Sequence, residues 1–333
     1  MLRFIVERVF SALLTLLGAS LIAFIVLRAV PTNPARLIAG PFATDEVIGQ
    51  VEAALGLNKP LYIQYADYIV GFVRGDWGFS YSAGQPVLQQ IGQRLPASAE
   101  LALYAFLFAF IGAIFLTVFS VFARSRWLDR LLRGSAFVFV GVPPFWIALL
   151  FLIVFSENLG WFPGPVGRGD APPVVVTGLY SIDFLLGGDV SGFFGALHYL
   201  ALPSVTLALG SLGYLIRLLR ANLLDTANEP FVTVLHAKGV RGLVIAFGHV
   251  LPNAFLPTLT AGGLILAQLL GGSVLVERIY TWPGVGGLVI DGILRQDYAV
   301  VQAFILLSAL IYIVVNFLID ILYGVVDPRV RRS

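Results

Sequence analysis

The stretch RLLRANLLDTANEPFVTVLHAKGVRGLVIAFGHVLPNAFLP, residues 217–257, decides how this chain is organised. It holds a polar segment of about 30 residues between two strongly apolar runs, with a short helix punctuated inside it. Pro230 suits a first helical position, Lys238 a last turn, and Gly239 the position just past the end. The spacing predicts a helix over 230–238, outside the bilayer. Phe231, Val234 and Leu235 fall at i, i+3 and i+4, so the stub carries an apolar face although it is too short to be stable alone. It needs a surface to dock into, either lipid or a groove in a soluble protein. Its polar side offers only Thr233, His236 and Lys238, a thin supply for a helix resting on lipid, which favours the groove.

Working outward, the chain of 333 residues is 58% hydrophobic and 12% charged, with mean hydropathy +0.90, which excludes an ordinary soluble domain. Uncharged apolar runs predict an all-α polytopic membrane protein with six spans: 9–27, 101–123, 135–156, 200–216, 255–276 and 299–319. An even number puts both termini on one side. The first run is longer than a secretory h-region and Arg28 follows it without a cleavage pattern, so it reads as a retained helix. Cysteine is absent, which excludes thiolate metal sites, and a net charge of +2 does not point to nucleic acid.

Charge sets the expected orientation. The N-terminus, the 124–133 loop, the 217–249 loop and the C-terminus hold 13 Lys/Arg against 6 Asp/Glu, and the opposite face holds 8 against 13. The positive-inside rule therefore puts Arg3, Arg8, Arg124, Arg126, Arg130, Arg133, Arg217, Arg220 and Arg329 in the cytoplasm, together with the 230–238 knob. Residues 31–98 then form an external segment too long for a simple connection, predicting a small folded insertion after the first helix. Within it, DEVIGQVEAALGL (45–57) has helical spacing that ends at Gly56. The external segment 157–199 is dense in Gly and Pro and predicts irregular structure. In the short 277–298 segment a Trp-Pro turn leads to a helix over 287–294.

No G-x-x-x-x-G-K-[ST] loop occurs, so any nucleotide that drives the protein binds another chain. In the third span, Gly141, Val142, Pro143 and Pro144 interrupt the apolar run, as a pathway break or as a kink within packed helices. In the fifth, Gly262, Gly263, Gly271, Gly272 and Ser273 permit close backbone approach, again through packing or a gate. Asn253 and Gln268 are amides at or near membrane depth and predict a partner helix or a wet path. Glu277, Arg278, Asp291, Arg295 and Asp297 read either as solvated helix ends or as functional charges. A membrane protease would need a nucleophile and base, and the one pair to consider, Ser273 and His249, falls nearly a membrane apart.

Over nearly its whole length the chain resembles the B-type permease subunits of dipeptide and oligopeptide ABC importers. The resemblance is carried by LRFIVERVF, GLNKPLYIQYADYIVGFVRGDWGFSY, RLPASAELAL, GVPPFWIALLFLIVFSENLGWFP, GHVLPNAFLP, LLGGSVLVERIYTWPGVGGLVIDGILRQDYAVVQ and LIDILYGVVDPRVR, in that order. It implies a type I importer fold with residues 1–333 as one permease domain. The 217–249 loop would couple to an ATPase subunit through Pro230, Phe231, Thr233, Val234, Leu235, His236, Lys238 and Gly239. The family's E-A-A, Gly and Leu-Pro pattern aligns with Thr233, Val234, Leu235, Gly239, Leu251 and Pro252, and here lacks the acid and the alanines.

The same resemblance implies a path or gate at Gly141, Pro143, Pro144, Asn253, Gln268, Gly271, Gly272, Ser273 and Glu277. A substrate-binding protein would dock on Trp77, Tyr81, Trp282, Asp291 and Arg295. The implied complex has a second homologous permease, two ATP-binding subunits that hold ATP and Mg, and an extracytoplasmic binding protein, in the bacterial inner membrane. This chain would itself bind no cofactor or metal and do no chemistry. Peptides are the expected substrate, with nickel, metallophores or other small solutes as alternatives. A secondary transporter or channel working without ATPases would instead carry internal repeats and buried coupling charges in its spans.

Overall fold

The computed structural model describes residues 2–29, 34–40, 42–122, 127, 130, 134, 139–271 and 273–326. The described chain is almost wholly helical, and five of its helical stretches are long and apolar enough to cross a membrane: Arg8–Arg28, Val87–Ser120, Val190–Ala227, Gly242–Leu270 and Tyr298–Ile319. The expected third span differs. Residues 135–138 lie outside the described residues, the helix breaks at Val142 and Pro143, and an apolar helix of 15 residues resumes over Pro144–Asn158.

The first spanning helix is α1 (Leu2–Ala29), followed by α2 (Pro34–Ala39) and α3 (Asp45–Ala54). Thr44 caps α3 by accepting from the Val47 amide, and Asp45 and Glu46 suit its positive end. The aromatic stretch becomes α4 (Leu61–Val73), then a two-stranded hairpin of β1 (Phe79–Ser80) and β2 (Gln85–Pro86). Helix α5 (Val87–Phe122) follows at once. Residues 87–98, which the sequence reading places in the external segment, are thus helical and continuous with the second apolar run.

Helix α6 (Pro144–Phe151) runs into a π-helical turn, Leu152–Asn158. Of the irregular structure expected over 157–199, only 159–179 and the short turn at 187–189 are non-helical. Helix α7 (Tyr180–Leu186) forms between them, and α8 (Val190–Ala227) starts where the Asp189 carboxylate accepts from the Gly192 amide at 2.8 Å. Helix α8 also outruns its expected span, continuing through Arg217 to Ala227. The knob is α9 (Pro230–Ala237), one residue shorter than expected, with Gly239 at φ 74° just beyond.

After α10 (Gly242–Ile245) and a π-helical turn, α11 (Leu251–Leu270) ends sooner than the expected residue 276. Helix α11 gives way to a turn at Gly271, and α12 (Val274–Ile279), α13 (Val285–Leu294) and α14 (Tyr298–Val326) complete the fold. Helix α13 begins two residues before the expected Gly287.

Small residues set the packing. Ala105, Ala109 and Ala113 of α5 recur every fourth position and are fully buried among Leu212, Leu215 and Ile216 of α8. On α11, a β-carbon at Gly262 would run 2.5 Å from the Phe110 ring, and one at Gly263 would collide with Ile319. These two glycines let α11 lie against α5 and α14, so close packing is their role in the fold.

Candidate functional site

A cleft of about 720 Å³ opens where the 142–143 break, α8, α11 and the start of α12 meet. Pro144, Gln268 and Ser273 from the expected path set line it, joined by Ser211 and Tyr214 of α8, which the sequence reading missed. The Pro143 carbonyl accepts from the Trp146 and Ile147 amides at 3.0 and 3.3 Å, so the break leaves that carbonyl satisfied by the next helical turn. Gly141 and Pro143 sit exposed on the break beside the cleft without lining it. Three other members of the set point elsewhere. Asn253 donates within its own helix to the His249 carbonyl at 2.7 Å, the Gly271 carbonyl accepts from Ser308 of α14 at 3.1 Å, and Glu277 is buried away from the cleft. Gly272 lies outside the described residues. Ser273 and His249 flank opposite ends of α11, about 30 Å apart by helical rise, and form no dyad.

The knob has an inner and an outer face. Val232 is buried, and Phe231 and Leu235 are half-buried against Leu219, Leu223, Ile245, Val250 and Ala254. The face expected to await a partner is thus largely used to fasten the knob to the base of α8. Thr233, Val234, His236, Lys238 and Gly239 are exposed, as is Pro230 at the first helical position. His236 spends its Nδ1 on the Val232 carbonyl at 2.9 Å. Val234 is the large apolar side chain left outward, 51% exposed.

At the other end of the fold, buried polar clusters hold the connecting segments. The Glu277 carboxylate accepts from the Ser98 hydroxyl at 2.7 Å and from the Gly286 and Gly287 amides at 2.7 and 3.3 Å. It therefore sits on the N-terminus of α13 and ties it to α5. Burial pushes this carboxyl up, and the Ser98 hydroxyl and the two amides act in the opposite direction. A β-carbon at Gly286 would stand 2.7 Å from a Glu277 oxygen, so the close approach requires glycine. Arg168 pairs with Glu100 and donates to the Gly178 carbonyl at 2.8 Å, with its guanidinium 3.6 Å from the Tyr180 ring centre. Burial disfavours the charged form of Asp183, but the Thr177 amide and hydroxyl and the Gly178 amide outweigh it and hold the carboxyl below the usual carboxylate range. Asp297 accepts from the Ser80 and Ser82 hydroxyls at 2.6 and 2.8 Å, pinning the hairpin to the start of α14.

The expected docking residues separate accordingly. Trp282 is a core residue, 3% exposed, and its indole donates to the Ala97 carbonyl at 2.8 Å. It is unavailable to a partner because its whole ring fills the space beside α5. Trp77 is half-buried and stacks on Phe72. Asp291 is partly buried and pairs with Arg278 at 3.2 Å. Tyr81 and Arg295 are exposed and lie close together, since Arg295 reaches the Ser82 carbonyl at 3.5 Å.

Two family models match the sequence. Residues 109–332 match the binding-protein-dependent transport system inner membrane component, and residues 1–102 match the N-terminal part of such membrane components. The chain is 38% identical over 330 residues to a probable D,D-dipeptide transport system permease protein of Escherichia coli, covering 98% of this chain and 97% of that one. It is 36% identical to a di/tripeptide transport system permease protein of Pseudomonas aeruginosa, over the full length of both. A dipeptide transport system permease protein of Alkalihalophilus pseudofirmus is 33% identical, over 99% of this chain and 100% of that protein.

Proposed function

The chain belongs to the family of binding-protein-dependent transport system inner membrane components, and from that premise we propose that it is a permease subunit of an ATP-driven importer of di- and oligopeptides. The observation that carries this reading is its full-length likeness to proteins named as dipeptide and di/tripeptide permeases. Such a subunit does no chemistry of its own. It pairs with a second homologous permease to enclose the path, two partner subunits bind ATP and Mg, and a binding protein delivers the peptide from outside. The broken helix at 139–158 supplies a sixth crossing, with both termini in the cytoplasm.

A soluble ATPase subunit grips the outer face of α9 around Val234. The inner face is fastened to Leu219 and Leu223 of α8, and the same helix carries Ser211 and Tyr214 at the cleft. Displacing the knob therefore shifts one wall of the path.

The test is uptake. In membranes containing the complete complex, labelled dipeptide should accumulate only with the binding protein and ATP present, and deletion of this chain should abolish it. ATP-independent accumulation, or no dipeptide uptake at all, would overturn the reading. The orientation has its own check, which the cysteine-free sequence makes simple. A cysteine replacing Asp76 should react with an impermeant thiol reagent in spheroplasts, whereas one replacing Lys238 should react only after lysis. The opposite pattern would invert the topology.

A further inference from the structure

Four polar side chains from three segments converge on the cleft: Ser211 and Tyr214 from α8, Gln268 from α11, and Ser273 just before α12. Among the described residues none of the four has a hydrogen-bond partner for its side chain. On the same helices Thr206 and Thr258 donate back to the carbonyls of Leu202 and Ala254, whereas Ser204 and Asn222 of α8 lack a partner without lining the cleft, so what sets the four apart is their convergence on one opening. Tyr214 and Gln268 are exposed and Ser211 and Ser273 only partly buried, so a group entering the cleft can reach them, and an amide or hydroxyl shut off from water without a partner is costly. Among the described residues the cleft wall also contains no charged side chain.

Resting on the importer reading above, we propose that Gln268, Ser211, Tyr214 and Ser273 form an uncharged strip that hydrogen-bonds the peptide backbone in transit. A primary amide and a hydroxyl each donate and accept, matching a peptide unit, which presents one N–H and one C=O. The neighbouring apolar wall, with Leu264 and Phe145 exposed, receives side chains. A fixed charge there would retain peptides of opposite charge and repel those of like charge, because Coulomb interactions strengthen in a confined, poorly hydrated space. The strip reads what all peptides share and leaves side-chain charge unread, so Gln268 is a specificity-determining residue by being neutral.

The experiment installs charge at this position after folding. Gln268→Cys in the cysteine-free chain is assembled into the complete complex, then treated with an anionic or a cationic methanethiosulfonate. The cysteine-free parent complex receives the same reagents as control. Uptake of a Glu-containing and a Lys-containing dipeptide is compared, each normalised to the untreated complex. The cationic adduct should lower uptake of the Lys peptide relative to the Glu peptide by about tenfold, and the anionic adduct should do the reverse. Equal loss for both peptides under both reagents would overturn the proposal, because it is the outcome expected if the strip packs against the second permease. Failure of either reagent to modify position 268 would overturn it as well. Should Gln268→Cys fail to assemble, Ser211→Cys on the facing helix carries the same comparison. Absence of peptide uptake by the untreated parent would overturn the importer reading and this inference with it.

Discussion

Arg168→Met is expected to destabilise the protein by about 3–5 kcal/mol, because it removes one member of a buried ion pair and leaves the other without its counter-charge. Glu100 and Arg168 are 1% and 7% exposed at their side chains. The other Glu100 oxygen accepts from the Ser181 amide and hydroxyl, each at 2.7 Å, which cannot neutralise a full negative charge. Methionine keeps most of the apolar contact with Tyr180, so the loss reports the charge rather than a cavity. The double variant Glu100→Gln, Arg168→Met should regain most of the stability, since a neutral amide still accepts from Ser181 and no ion remains unpaired. Denaturation of the purified protein in detergent measures both. A single variant within about 1 kcal/mol of the parent would mean that the pair is as weak as an exposed one.

If the proposed ATPase subunit grips the outer face of the knob, Val234→Asp should cut its copurification about thirtyfold and abolish most uptake, with membrane insertion unchanged. Val234 is exposed on the outer face of the knob. A carboxylate forced into a dry apolar contact costs about 2 kcal/mol or more, which is the thirtyfold loss. Phe231→Asp serves as the contrast. Phe231 packs inward on the Leu219 and Leu223 cluster, so its replacement should loosen the knob itself and lower stability as well as coupling. Normal ATPase copurification with Val234→Asp would remove the outer face from the docking surface.

Features fixed by near neighbours could be read in the sequence. The knob at 230–237 came within a residue because Pro230, Lys238 and Gly239 are local punctuation, and Gly239 adopts the positive φ expected past a helix end. The apolar runs gave the helices, but their ends were misjudged wherever a spanning helix continues into polar sequence, as α8 does beyond Arg217.

The buried polar clusters could not be read. Ser98 and Glu277 lie 179 residues apart, Glu100 and Arg168 lie 68 apart, and Ser80 and Asp297 lie 217 apart. Periodicity says nothing about such pairings. The same limit explains Trp282, whose type suits a docking surface and whose position is set by contact with α5. In the cleft, Gln268 stood out as an amide in an apolar run, whereas Ser211 and Tyr214 did not, because hydroxyls on membrane helices are commonplace until their missing partners are seen.

Helix α8, Val190–Ala227, has a mechanical consequence. Its 38 residues span about 57 Å, nearly twice the roughly 30 Å of the hydrocarbon layer. One end is bolted to the knob through Leu219 and Leu223, and the other lies beside α7, with Pro203 as its single internal proline. A rod of that length works as a lever. Tilted by about 5° around its Val190 end, it would carry the knob through a stroke of about 5 Å, near the rise of one helical turn. With the fulcrum at the Val190 end, Ser211 and Tyr214 would travel roughly half as far, so a large excursion at the knob becomes a smaller, more forceful one at the cleft.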